Sequence, residues 1–209
     1  MLRGMTGATA ADYAWVEDPR FGLGVAYCLT LVRGIPPEEV LDRVGSAVTA
    51  RGTGVESVVL DARFEARDGW TAAVTSLGAW TLMYEYNGYL GVTDSALTRL
   101  SRGTTAVGHF KNVNAVDDFR WYENGVARLR FQPLFPSERW GPEAEAIAGP
   151  MREVGFDLTD HLELDDDRED FGPVTRGAFA LAERITGVRV TPELLSDSVF
   201  VAGRVRPKR

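Results

Sequence analysis

The chain has a single cysteine, Cys28, and only two histidines, His109 and His161. One thiol excludes an intrachain disulfide, and two isolated imidazoles without companion thiols do not assemble a zinc site. Long apolar runs are missing too: no stretch approaches the roughly 20 residues of a membrane helix. The opening MLRGMTGATA holds one basic residue and no continuous apolar core, so it does not fit a secretory signal, and a soluble cytoplasmic protein is expected. Positive charge is also short, with 23 Lys and Arg against 30 Asp and Glu, a net charge of −7. Phosphate recognition needs a clustered positive surface, so nucleic acid is disfavoured; only the tail at 204–209 is basic. There is no Walker-type loop, no G-x-S-x-G elbow and no H-E-x-x-H. Gly22-Leu23-Gly24 supplies two glycines of a dinucleotide fingerprint, but the third is missing and a strand follows instead of a helix. No cofactor, metal ligand or catalytic residue is assigned.

What is present describes a folded chain. At 44% hydrophobic and 25% charged residues, the composition lies well outside the disordered regime. A domain of 209 residues buries about 70% or more of its unfolded surface, so one α+β domain over 1–209 is expected. The acidity is concentrated. Residues 157–170 hold eight acidic side chains and one basic one, Arg168, while the remaining 22 acidic and 22 basic residues cancel.

Residues 79–131 carry the clearest pattern. Trp80, Leu82, Tyr84 and Tyr86 recur at period two, as do Phe119 with Trp121 and Leu129 with Phe131, placing each set on one face of a sheet. At Asn124-Gly125 a three-residue loop is expected, pairing Trp121 with Ala127, Phe119 with Leu129 and Asp118 with Arg130. Val25–Arg33 is apolar on both alternating sets, as a central strand is, and Pro36-Pro37-Glu38-Glu39 opens a helix after it. Thr9 caps a short helix over 9–17, strands are expected at 71–77, 79–86, 104–110, 116–122 and 126–131, and Thr93 or Asp94 starts a helix ending before Gly103. The span 46–55 reads as loop, and the chain beyond Pro133 as helical, with Gly149-Pro150 breaking the helical segment that Pro142 opens. Val174, Ala178, Leu181, Ala182 and Ile185 form the stripe of the best helix, ending at Gly187. Together these give α+β: a central, largely antiparallel sheet with an early strand–helix unit and C-terminal helices.

Several short motifs stand out along this layout: Ala26-Tyr27-Cys28-Leu29-Thr30 through Arg33-Gly34, Trp80 with Glu85-Tyr86-Asn87-Gly88, and Leu100-Ser101-Arg102-Gly103. Asn112-Val113-Asn114-Ala115-Val116-Asp117-Asp118-Phe119 and Ala182-Glu183-Arg184-Ile185-Thr186-Gly187 complete the set. In these the chain resembles an uncharacterised actinobacterial domain-of-unknown-function family over most of residues 10–195. The resemblance implies one domain and no particular chemistry.

Two sets of residues are candidates for function. Glu85, Asn87, Asn112, Asn114 and Asp117 fall at strand ends and turns, where converging polar groups suit a small polar ligand. Turn chemistry competes with that reading, because asparagine supplies left-handed conformations and local hydrogen bonds. Asp165, Asp166, Asp167, Glu169 and Asp170 form the second set. A calcium loop would need glycine where Asp170 stands, so a solvated acidic strip engaging a basic protein partner is expected. Cys28, inside a doubly apolar strand, is expected to be buried and inert. The functional expectation is a non-enzymatic interaction module, of the regulator or immunity type. The alternative is a ligand-binding domain or enzyme using Glu85 and Asp117.

Overall fold

The computed structural model describes residues 7–21, 23–59, 70–114, 116–159 and 172–205. Strand β1 (Tyr27–Arg33) is followed by α1 (Pro37–Arg43), β2 (Val48–Thr53), α2 (Val55–Val59), β3 (Trp70–Leu77) and β4 (Trp80–Glu85). Next come α3 (Asp94–Leu100), β5 (Thr105–Lys111), β6 (Asp117–Glu123), β7 (Val126–Gln132) and β8 (Phe135–Trp140). Helices α4 (Ala148–Glu153), α5 (Val174–Thr186) and α6 (Pro192–Asp197) lead to β9 (Val199–Val205). All nine strands join one antiparallel sheet in the order β2-β9-β3-β4-β1-β5-β6-β7-β8. The molecule is therefore α+β with a large antiparallel sheet.

The sheet is covered on both faces, and β1 stands at its middle, which is why that strand is apolar on both sides. Tyr27, Leu29 and Leu31 join Leu82, Tyr84, Phe119, Trp121, Leu129 and Phe131 on one face, beneath α5, α4, α2, α6 and the 3-10 segment Ala10–Glu17. We call this the α5 face. Phe179 of α5 anchors it, packing against Tyr13, Trp15, Tyr27 and His109. On the other, α3 face, Val32, Val74, Met83 and Ala106 meet Val40, Leu41 and Val44 of α1 and Ala96, Leu97 and Leu100 of α3. Helix α3 starts where Thr93 Oγ1 accepts from the Ala96 amide, and α6 where Thr191 does the same for Leu194.

The β6–β7 hairpin differs from expectation. Asn124 (φ 49°) and Gly125 (φ 80°) are both left-handed, so the loop has two residues, pairing Glu123 with Val126 and Tyr122 with Ala127. The extra residue is Arg128, bulged out of β7, and beyond it Trp121 pairs with Leu129 and Phe119 with Phe131. The four aromatic and aliphatic side chains still share the buried α5 face. Arg120, and not Asp118, faces Arg130. That juxtaposition of like charges is offset by Asp118, which accepts from Arg120 at 2.9 Å, and by Asp94, which binds Arg120 and accepts from Tyr122 Oη at 2.6 Å.

Other expectations are corrected at the margins. Residues 48–53, read as loop, form edge strand β2, whose mostly exposed side chains carry no alternation. Residues 135–140, read as helical, form β8, because the turn at 133–134 returns the chain alongside β7. Strand β9 is additional to the expected set. The 9–17 helix is 3-10 and kinked at Tyr13. Gly149-Pro150 lies within the first turn of α4, where a proline lacks no needed hydrogen bond.

Candidate functional site

Antiparallel register sorts the sheet into two ends. At one end β1, β3 and β6 begin while β4, β5 and β7 finish. Glu85, Asn87, Asn112, Asn114 and Asp117 all lie at this end, called the lower end here. They do not form one site. Glu85 is the Cα partner of Cys28 and faces α3; Asp117 is the partner of Lys111, itself opposite Tyr27, and lies on the α5 face. Strand pleating puts the two carboxylates on opposite sides of the sheet, so they cannot act as acid and base in a shared cleft.

Glu85 is wholly buried. Its Oε1 accepts from the Gly91 amide at 2.8 Å and its Oε2 from the Leu90 amide at 3.1 Å, and the Cys28 thiol donates to it as well. Burial pushes its pKa up to about 7 against the pull of those three donors. Cys28 is buried, and its thiol is held well above its ordinary range by burial and then by Glu85. An inert core thiol is what the doubly apolar strand predicts.

Asp117 is 4% exposed, and its Oδ2 has no hydrogen-bond partner among the described residues. Burial raises its pKa to about 7, opposed by the Leu134 amide and the charge of Lys111. Around it, Tyr27 Oη lies 2.9 Å from His109 Nδ1, and Lys111 Nζ donates to Thr175 Oγ1 at 3.2 Å. His109 is kept neutral, its pKa lowered to about 3 by burial. The asparagines serve turns. Asn87 adopts φ 49°, and Asn112 Oδ1 accepts from the Asn114 amide at 2.9 Å and the Val116 amide at 3.1 Å. Asp165, Asp166, Asp167, Glu169 and Asp170 lie outside the described residues.

Beside Asn87 a groove of about 230 Å³ opens between Arg20, Val25, Glu56, Tyr86 and Val113. A second cleft, about 260 Å³, shares Arg20 and Glu56 and continues over the α5 face past Leu23, Ser57, Tyr84 and Leu195. Val25, Tyr86 and Val113, which line the first groove, are 59, 39 and 66% exposed, and Tyr89 and Val116, on loops of the same sheet end, are 47 and 49% exposed. Tyr89 is steadied edge-on by Trp70, with ring centroids 4.8 Å apart.

A family model for a family of unknown function, DUF6461, matches residues 6–209, nearly the whole chain. The chain belongs to the DUF6461 family. No curated protein and no solved structure matches it. Among the described residues of this DUF6461 chain, no group of three or more His, Cys, Asp and Glu is placed to hold a metal ion, and no helix is long and apolar enough to cross a membrane. The groove and its apolar rim are what sequence reasoning missed in DUF6461. The signal was there: Tyr86 and Tyr89 flank a turn, and Val113 and Val116 flank Asn114, where a turn normally carries polar side chains. Arg20, Glu56 and Val25 gave no such sign, because only the fold brings them to the turn.

Proposed function

We propose that this protein is a cytoplasmic, non-enzymatic interaction module whose contact surface is the lower end of the sheet, and that its partner presents a basic surface with apolar side chains at its centre. The observation that carries the reading is the concentration of exposed Val25, Tyr86, Tyr89, Val113 and Val116 on neighbouring loops. Tyrosine-rich apolar patches ringed by polar groups are typical of protein contacts. Charge supports it. The chain flanking the acidic residues is tied to the same half of the sheet: Thr175 receives Lys111, and Phe156 packs on Phe131 with ring centroids 5.5 Å apart. Acidic residues carried on that stretch of chain would steer a basic partner and speed its association. A ligand site spanning Glu85 and Asp117 has less support, since the two lie on opposite faces.

The test is quantitative capture with the full chain, comparing the native protein with Tyr86→Ser/Tyr89→Ser/Val113→Ser and, as a control, Trp140→Ser on the distant β8. The reading predicts a saturable partner whose affinity falls at least about tenfold in the triple variant, is unchanged in the control, and weakens with salt. Retention by a folded triple variant, or loss in the control alone, contradicts it.

A further inference from the structure

The loop that bears Tyr86 and Tyr89 is moulded onto the Glu85 carboxyl group. A Cβ at Gly88 would lie 2.5 Å from Oε2, and one at Gly91 would lie 3.1 Å from Oε1 and collide with Thr30 Oγ1. Two glycines thus let the loop close over a wholly buried acid that receives two of its amides. We infer that Glu85 is a proton-operated latch: protonated, it keeps residues 86–92 closed on the sheet, and ionised, it favours their opening and so changes how Tyr86 and Tyr89 are presented to a partner. This rests on the lower end being the contact surface.

The physical basis is a buried carboxyl group with no cation in contact among the described residues. Across the α3 face, β1 offers Glu85 only Cys28 and Thr30, β3 offers Ala72, and β5 offers Gly108 and Phe110. Asp118 and Arg120 of β6, three strands away, are paired with each other at 2.7 Å. Among the described residues, Cys28 is the titratable group in contact, and its thiol stays neutral. Water reaches the carboxylate only if the loop lifts. Closure raises its pKa from the ordinary 4.5, to which a solvated carboxyl in an open loop would return, to about 7. Closure therefore takes up a proton, is fully supported below the lower value, and loses that support as pH rises through the upper one. Between pH 5.5 and 8 the open-to-closed ratio rises about 25-fold by linkage.

Amide hydrogen exchange of residues 86–92, corrected for intrinsic chemical rates, reads that ratio in the full chain. Protection at Leu90 and Gly91 should fall about 25-fold from pH 5.5 to 8 in the native protein and stay constant in Glu85→Gln, whose neutral amide mimics the protonated acid. Equal protection at both pH values in the native protein, or the same pH dependence in the variant, overturns the latch. Should the variant not fold, the native carboxyl carbon resonance of Glu85 decides, because Tyr89 ring signals must titrate with it and their failure to do so overturns the latch. The two readings fail separately. A pH-insensitive loop with partner binding lost in the tyrosine variant removes only the latch, whereas a titrating loop with binding intact in that variant removes the contact surface.

Discussion

Asp117 combines deep burial with a carboxyl oxygen left without a hydrogen bond among the described residues. That oxygen is buried near Lys111, whose Nζ donates to Thr175. Its pKa is raised from 3.8 to about 7 chiefly by burial, so the native state favours the neutral acid. The unfolded chain ionises first as pH rises. Any stability this group supports is complete below about pH 4 and is gone above about pH 7. Asp117→Asn should therefore stabilise the protein by about 2–4 kcal/mol at pH 8 and leave it nearly unchanged at pH 4, in urea unfolding at the two values. An equal effect at both would mean that the carboxyl does not titrate in this window. Asn87, Asn112 and Asn114 teach the opposite lesson at the same scale. Their amides are occupied by turns, and what the turns display is the apolar side chains beside them.

At the level of elements, the β6–β7 hairpin separates what pattern determines from what it leaves open. Period-two alternation correctly grouped Phe119, Trp121, Leu129 and Phe131, because only one register family buries all four. It could not tell an extra residue in the loop from one bulged inside β7, since both restore the phase. The bulge at Arg128 prevails with Asn124-Gly125 in the two-residue left-handed turn that pairs well with strand twist. Gly125→Ala forces a Cβ into φ 80° and should cost about 1–2 kcal/mol; an unchanged melting temperature would contradict the turn. Helix α5 and the central strands were legible because a buried stripe writes itself into the sequence. Edge strands β2 and β8 were not: each has one neighbour and exposed side chains, so neither face constrains composition. The candidate site was half legible. Its location at the loops of one sheet end could be read, but which face each side chain takes depends on strand order, and strand order follows from long-range pairing.

For the whole molecule, the exposed large aromatic side chains among the described residues fall in two regions. One is the loop after β4, with Tyr86 and Tyr89; the other is edge strand β8, with Phe135 at 45% and Trp140 at 54% exposure. Strand β8 is an edge, yet it carries Pro136, Glu138 and Arg139, the kind of residues that discourage further strand pairing. The lower end combines apolar side chains with a groove and adjoins the chain that enters and leaves the acidic segment. Hydroxyl-radical footprinting separates the two directly, because both regions hold readily oxidised rings. On saturation with the captured partner, oxidation of Tyr86 and Tyr89 should fall several-fold while that of Phe135 and Trp140 stays as in the free protein; protection of Phe135 and Trp140 with Tyr86 and Tyr89 unchanged would contradict the account.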